Sequence, residues 1–344
     1  MGGERAYPGA PRGDRAPLGA PRGALARAPG GGGWRPGRSG GPAQRSAAVT
    51  GEGGARRAPW SELREQLRAA GFRPSRRLGQ NFLLDDNLCR ALVRDAGVAP
   101  GDFVLEVGAG LGFLTAHLCD AGARVLAVEV DARLLEIARR DLGEAPGLEW
   151  LRADALAGKH RLGEELAAGL PREGSWRLVA NLPYSISAPL LCLLAERESP
   201  PTSMSVLLQR EVAQRIVASP GDPSWGLLSI RLQVLYEARL GRSAAPALFW
   251  PRPEVESACA HLALRAEAPC AADRRRLSAL AGGLFGRRRQ AVARVLGDLF
   301  DSRPAAEQAL ETLSIDPRAR AETLPMESLL ALARSEAWRT KNLR

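Results

Sequence analysis

The sequence predicts an α/β fold with a mostly parallel sheet, followed by a small helical domain. Five short apolar runs between residues 103 and 209 alternate with segments of helical periodicity, as in a parallel sheet covered by helices on both faces. Two later strand-like runs, 230–238 and 257–264, lie closer together and predict an antiparallel hairpin at the edge of a seven-stranded sheet. The parallel strands are predicted at Phe103–Val107, Arg124–Val130, Glu149–Ala153, Trp176–Ala180 and Ser203–Gln209.

Composition and periodicity divide the chain into three regions. Residues 1–58 are rich in Gly, Pro, Ala and Arg and have no apolar periodicity, which predicts a disordered basic tail, with an organellar transit peptide as the alternative. Residues 59–268 hold the predicted sheet, preceded by one helix capped at Ser61 and a second beginning near Asp86. Residues 269–344 show helical spacing from Asp273 onward and are predicted to form a helical, RNA-binding C-terminal domain.

The net charge of the 344-residue chain is +10, and a basic balance favours a nucleic-acid partner. Ten arginines and three acidic residues in positions 1–58 account for +7 of this charge, so the rest of the chain carries only +3. Total charge alone therefore does not identify the partner of the folded region.

Cysteine and histidine are too few and too scattered for a zinc site or a disulfide scaffold. None of the five cysteines forms a C-x-x-C pair, and there are three histidines, so we expect no metal and a reducing, cytosolic type of compartment. No run of 18 apolar residues and no apolar secretory signal is present, so no membrane association is expected. No sustained heptad pattern appears, and we expect a monomer.

A nucleotide-binding pattern follows the first three predicted strands. Gly108, Gly110 and Gly112 form a turn between a strand and a helix, where glycine lets the backbone approach a ligand closely. Glu129 ends the next strand and can accept hydrogen bonds from two ribose hydroxyls, and Asp154 follows the third strand, where it can accept from an adenine amino group. The glycine spacing differs from that of NAD enzymes, and the acids that follow at consecutive strand ends predict S-adenosylmethionine as the ligand. A dinucleotide site or a simple tight turn, with acids that only cap helices or face solvent, is the alternative.

The segment Asn181-Leu182-Pro183-Tyr184 follows the fourth strand and suits transfer to an amino group of adenine. The lone pair of that amine is delocalised into the ring, and two acceptors on its N–H groups, the Asn181 side chain and the Leu182 carbonyl, would localise it. Pro183 would stiffen the turn, and Tyr184 would stack on a flipped base. A structural turn is the alternative, since Asn and Pro are common turn residues.

These motifs and several others resemble the ribosomal RNA small-subunit adenine dimethyltransferase family (KsgA type). The resemblance covers about residues 73 to 334, with Ala109 standing where the family usually has Pro. It implies a class I S-adenosylmethionine-dependent methyltransferase of Rossmann-like fold. The matching segments are Arg77–Leu83, Glu106–Gly110, Glu129–Asp131, Asn181–Ser187, Leu208–Ala213 and Phe249–Ser257.

The resemblance also implies roles for single residues and a substrate. Phe249 is expected to join Tyr184 in sandwiching the target base. The implied reaction is dimethylation of two adjacent adenines in the 3′-terminal hairpin of small-subunit RNA, on a pre-assembled small ribosomal subunit in a cytoplasm of bacterial type. The cofactor contacts that the resemblance implies are Asn81, Leu83, Gly108, Glu129, Asp154 and Asn181, to which the glycine turn adds Gly110.

Three alternatives remain at the level of sequence. A large-subunit RNA dimethyltransferase conferring macrolide resistance shares the tetrad, but Leu182 and the C-terminal pattern favour the small-subunit type. A nucleic-acid-binding factor that has lost catalysis is disfavoured by the intact Glu129, Asp154 and tetrad. A DNA adenine methyltransferase is disfavoured by the Asn181–Tyr184 sequence and the helical C-terminal region.

The arginine runs 274–276 and 287–289 are candidate phosphate contacts.

Overall fold

A computed structural model describes residues 58–75, 77–143, 145–158, 160–300, 302–336 and 338. Nearly all of the predicted basic tail lies outside the described residues; of it, only Ala58 is described, and its N–H donates to the Asp141 carboxylate. The predicted domain boundaries at 58 and 268 stay predictions.

The large sheet confirms the predicted fold class. It has seven strands in the order β4-β3-β2-β5-β6-β9-β7, and the five strands from β4 to β6 are parallel. The last two pair antiparallel, as expected of an edge hairpin. The strands are β2 (Phe103–Val107), β3 (Arg124–Glu129), β4 (Leu148–Arg152), β5 (Trp176–Asn181), β6 (Ser203–Gln209), β7 (Tyr236–Ala244) and β9 (Ser257–Leu264), and a separate pair joins β1 (Phe82–Leu83) to β8 (Phe249–Trp250).

Helices cover the sheet and continue into the C-terminal region. Two apolar clusters fill the interior, and the larger one runs without interruption from Trp176 of the sheet to Leu280 of the C-terminal helices. The helices are α1 (Trp60–Ala69), α2 (Asp86–Asp95), α3 (Phe113–Asp120), α4 (Ala132–Leu142), α5 (Glu164–Gly169), α6 (Ser187–Ala195), α7 (Arg210–Val217), α8 (Leu227–Gln233), α9 (Ala271–Gly286), α10 (Val292–Leu299), α11 (Arg303–Thr312) and α12 (Met326–Arg334).

Two local predictions are wrong. The run 230–238, predicted as a strand, begins inside helix α8, and the edge strand starts only at Tyr236. Apolar Ile230, Leu232 and Val234 alternate with polar Arg231 and Gln233, which is the period of a strand, although α8 runs to Gln233. Helix α1 begins at Trp60 without a side-chain cap, because the Pro59 carbonyl accepts from the N–H groups of Glu62 and Leu63.

The order of the strands places a crevice above the middle of the sheet. From β2 the chain proceeds outward to β3 and β4, then returns to the other side of β2 with β5 and continues outward to β6. Ligands of open α/β sheets bind at such a reversal, outside the carboxyl ends of the strands. Val107 and Asn181, the last residues of β2 and β5, stand at this reversal.

Candidate active site

A cavity of about 350 Å³ opens at the carboxyl ends of β2 to β5. This volume lies within the range of small-molecule sites, about 300–1,000 Å³. The structure brings together all seven residues predicted to bind a cofactor and four of the five predicted to act in catalysis. These lining residues are Asn81, Leu83, Gly108, Gly110, Glu129, Asp154, Asn181, Leu182, Pro183 and Tyr184.

The glycine turn forms one wall of the cavity. The N–H groups of Gly108 and Ala109 both donate to the Val128 carbonyl at 2.9 and 3.1 Å, which fixes the turn to the end of β3. Gly108 has φ +79°, a left-handed conformation that favours glycine. A Cβ at this position would stand 2.9 Å from Cδ of Pro183, so the turn also lies directly against the Asn181–Tyr184 segment.

Glu129 is buried at the back of the cavity and is held by two backbone groups. Its Oε2 accepts from the Gly110 N–H and its Oε1 from the Asp131 N–H, both at 2.9 Å. Burial raises the pKa of Glu129 above its usual range, and these two hydrogen bonds oppose the rise. A carboxylate has about four lone-pair sites, so each oxygen keeps capacity for one further donor.

A second buried acid, Glu106, lines the same cavity and was not predicted as a site residue. Its side chain is 2% exposed and its Oε2 accepts from the Thr115 hydroxyl at 2.6 Å. Burial raises the pKa of Glu106 to about 8, against the hydrogen bond from Thr115, and the nearby Glu129 charge adds to the rise. The raised pKa favours the neutral form of Glu106. An acid inside an otherwise apolar strand was the sequence signal for it.

The rim of the cavity carries Asp154 and Val130. Asp154 lies two residues beyond the end of β4 and is exposed, with its Oδ1 accepting from the Leu156 N–H at 3.0 Å. Val130 directly follows Glu129 and, at 39% exposure, presents an apolar side chain that an aromatic ring can cover. The sequence showed an apolar residue after the strand-end acid, but not that it would remain exposed.

The Asn181–Tyr184 segment is held by bonds to three other parts of the chain. The Asn181 side-chain amide donates to the Asn81 carbonyl at 3.0 Å, which leaves its Oδ1 as an acceptor. The Leu182 N–H donates to the Leu207 carbonyl of β6 at 3.0 Å. The Tyr184 hydroxyl lies 2.7 Å from the Ser257 hydroxyl of β9. Burial raises the pKa of Tyr184, and the Ser257 hydrogen bond opposes this rise.

Phe249 stands apart from the other predicted catalytic residues. Its side chain is 4% exposed, and it does not line the cavity. It lies in β8 opposite Leu83 of β1, within the apolar cluster beneath the cavity. Its contact with a substrate base stays a prediction, and it requires the buried ring to become accessible.

The described residues hold neither a metal-binding cluster nor a membrane-spanning helix. No group of three or more His, Cys, Asp or Glu side chains in this part of the chain could hold a metal ion. Among the same residues, no helix is both long and apolar enough to cross a membrane.

Comparison with known proteins identifies the family. The sequence model of a family described as "Ribosomal RNA adenine dimethylase" matches residues 71–337. The chain is 38% identical over 279 residues to the ribosomal RNA small subunit methyltransferase A of Leifsonia xyli subsp. xyli, covering 79% of this chain and 96% of that protein. The protein of the same name from Phenylobacterium zucineum is 38% identical over 276 residues, with 80% and 92% covered.

Solved structures agree with this result. The 23S rRNA methyltransferase ErmE aligns with a TM-score of 0.57 at 26% identity, covering 73% of this chain and 98% of that one. A dimethyladenosine transferase from Plasmodium falciparum aligns with a TM-score of 0.61 at 21% identity, covering 72% and 94%, and supports the fold. The chain therefore belongs to the ribosomal RNA adenine dimethylase family and is an S-adenosylmethionine-dependent methyltransferase.

Proposed function

We propose that this protein transfers methyl groups from S-adenosylmethionine to N6 of two adjacent adenines in the 3′-terminal hairpin of small-subunit ribosomal RNA. The observation that supports the proposal is the orientation of the Asn181 amide. Its Nδ2 donates to the Asn81 carbonyl, so its Oδ1 can accept a hydrogen bond from the substrate amine. The relatives named above, 38% identical over most of their length, are named as small-subunit methyltransferases and favour that RNA as substrate.

The lining residues fit the cofactor. Glu129 keeps one acceptor site on each oxygen, which suits the two neighbouring hydroxyls of a ribose. Asp154 and Val130, both exposed at the rim, suit the amino edge and the face of an adenine. A Cβ at Gly108 would stand 2.9 Å from Cδ of Pro183, so glycine at this position lets the turn lie directly beside the Asn181–Tyr184 segment. When bound, S-adenosylmethionine supplies an electrophilic methyl group.

The protein contributes positioning and hydrogen-bond acceptors to the reaction. The Asn181 Oδ1 and the Leu182 carbonyl accept from the two N–H bonds of the adenine amine, which localises its lone pair for attack. The Tyr184 ring, fixed through its hydroxyl to Ser257, stacks on the base that has left the RNA helix. Because the amine becomes more acidic as it is methylated, solvent can take the released proton, and the rate depends mainly on orientation.

Exposed arginines in the C-terminal region supply a phosphate-binding surface. Arg288 and Arg289 are exposed and form no ion pair within the described part of the chain, whereas Arg287 pairs with Asp298 at 2.6 Å. We expect Arg288 and Arg289 to contact RNA phosphates, and their replacement to lower the salt dependence of RNA binding. Action as a monomer in the cytoplasm stays a prediction.

A methyl-transfer assay tests the proposal. Purified protein is incubated with labelled S-adenosylmethionine and unmethylated small or large ribosomal subunits, and modified adenines are mapped by mass spectrometry. Dimethyladenine near the 3′ end of small-subunit RNA is expected. Label only in large-subunit RNA would place the protein with the 23S type. Label in neither, with the cofactor bound, would contradict the proposal.

The variant Asn181→Ala tests the proposed role of the Asn181 amide. We expect kcat to fall about 100-fold or more, since removing one preorganised polar group from a reaction centre costs about 10²–10³, while RNA binding is retained. Asn87→Ala, on the exposed face of α2, is the matched control and should keep full activity. Equal activities of the two variants would remove Asn181 from the mechanism.

A further inference from the structure

The segment from Arg77 to Leu83 forms a cover over the cavity, and all seven of its residues line it. One end of this cover is fixed where β1 pairs with β8, with Leu83 opposite Phe249. At the same end, the ring of Phe82 packs against the buried Phe72 with centroids 6.2 Å apart. Before Phe82, the side chain of Gln80 makes the polar contacts that hold the cover.

Gln80 makes the contacts that fix the middle of the cover. Its Oε1 accepts from the Ser75 N–H at 2.7 Å, and its Nε2 donates to Oδ2 of Asp131 at 3.3 Å. The side-chain amide thus connects the cover to the start of α4. An amide is suited to this place, because one bond needs an acceptor and the other a donor.

Asp131 connects this contact to the cofactor wall. Its own N–H donates to Oε1 of Glu129 at 2.9 Å, and its carboxylate accepts from both Nε and the N–H of Arg133. Burial alone would raise the pKa of Asp131, but hydrogen bonds from Arg133 and Gln80 lower it overall. The acceptor that Gln80 contacts is therefore a carboxylate held in place from two sides.

The next residue of the cover reaches the catalytic turn. The Asn81 carbonyl accepts from Nδ2 of Asn181 at 3.0 Å, and this bond sets which way the catalytic amide faces. A shift of the cover along its own direction would move that carbonyl and turn the amide. Gln80 and Asn81 together thus connect Glu129 to Asn181 through adjacent residues.

We propose that Gln80 is a positioning residue: by bridging Ser75 and Asp131 it sets the register of the Arg77–Leu83 cover so that the Asn81 carbonyl orients the Asn181 amide for methyl transfer. This inference rests on the proposed function of Asn181. It assigns to Gln80 no contact with the RNA or the transferred methyl group.

The variant Gln80→Glu tests the proposal by means of pH. The new carboxyl has the shape of the amide, but when ionised it has no donor and faces the carboxylate of Asp131, with Glu129 and Arg133 behind it. When protonated, its O–H can again donate to Asp131. We expect kcat relative to wild type to be about 10- to 100-fold lower at pH 8.5, the order of loss for a misplaced reacting group. The ratio should recover as the pH falls toward about 5, since a free glutamic acid titrates at about 4.3 and the neighbouring Asp131 carboxylate favours the protonated form.

A matched control carries the same change of charge elsewhere. Gln308→Glu, exposed on α11, should show a flat ratio to wild type over this pH range. A Gln80→Glu ratio as flat as that of the control would overturn the proposal. If Gln80→Glu does not fold, Gln80→Ala and Asp131→Ala are compared singly and together. Losses of kcat that simply add would overturn it, and non-additive losses would support it.

Binding of S-adenosylhomocysteine, measured by calorimetry, separates this proposal from the proposed function. A positioning role predicts that the Kd of Gln80→Glu rises with pH, but by a smaller factor than kcat falls. Absence of methyl transfer by the wild type would refute the proposed function. In that case the ratio of the S-adenosylhomocysteine Kd of Gln80→Glu to that of the wild type still tests the role of Gln80, because binding is measured without methyl transfer. A ratio that does not change with pH would overturn that role.

Discussion

Replacing Gly108 with alanine tests whether the glycine turn and the catalytic turn are packed against each other as the structure has them. The added Cβ would meet Cδ and Cγ of Pro183 at 2.9 and 3.0 Å. Both are atoms of a ring that cannot rotate away, and Pro183 follows the carbonyl that we assign to the substrate amine. The substitution should therefore affect both stability and turnover.

The magnitude follows from two separable costs. A non-glycine residue at φ +79° costs roughly 1–2 kcal/mol of folding free energy, and forcing an extra methyl group into a packed contact costs about 1–3 kcal/mol. Gly174 has φ +85° with no atom within 4 Å of an added Cβ, so Gly174→Ala pays only the first cost. The difference between the two variants, about 1–3 kcal/mol, isolates the contact with Pro183.

Urea unfolding measures the two free energies, and methyl transfer under conditions where both variants are folded measures the effect on the site. We expect kcat of Gly108→Ala to fall at least about tenfold, because Pro183 must move, and kcat of Gly174→Ala to stay at the wild-type value. The packing argument is refuted if Gly108→Ala loses no more stability than Gly174→Ala and turns over normally.

Two further predictions concern buried polar groups. Burial raises the pKa of Glu106 from 4.5 to about 8. Between these two pH values the folded state binds more protons than the unfolded state, so the free energy of unfolding falls as the pH rises from 4.5 to about 8. Glu106→Gln removes this contribution, and its unfolding free energy should gain on wild type by up to about 1.4 kcal/mol per pH unit in urea titrations from pH 5 to 8; parallel curves would contradict this. The hydrogen bond between Tyr184 and Ser257 is tested by a double-mutant cycle with Tyr184→Phe and Ser257→Ala. Values of kcat/KM for the RNA, measured at saturating cofactor, should give a coupling free energy of about 0.5–1.5 kcal/mol. Strictly additive losses would mean that the hydrogen bond does not position the ring.

The sequence predicted those parts of the site that a strand end determines. Gly108, Glu129 and Asn181 each follow or end a strand, and the carboxyl ends of parallel strands meet at one edge of a sheet. Their convergence on one cavity therefore follows from the α/β pattern alone. The same reasoning gave the neighbouring Asp154.

Side-chain partners could not be predicted in this way. Asn81 and Asn181 are 100 positions apart, and Gln80 and Asp131 are 51 apart, so no local pattern connects them. The acid in β2 was visible as Glu106, but its hydrogen bond to Thr115 depends on how α3 packs beneath the strand. The error at 230–238 has a different cause, since the alternation of apolar and polar residues from Ile230 to Val234 has the period of a strand although α8 runs to Gln233.

Glu129 and Asn181 differ in what holds each side chain, and this difference relates the proposed cofactor site to the proposed catalytic amide. Glu129 is fixed by backbone N–H groups on both sides and is part of a rigid wall, whereas Asn181 takes its orientation from the carbonyl of the cover. On the proposed function, we expect a ligand that holds the cover against the wall also to hold the Asn181 amide. The acceptor for the substrate amine would then be correctly aimed only when the cover is in place, which ties the geometry of Asn181 to the state of the neighbouring cavity.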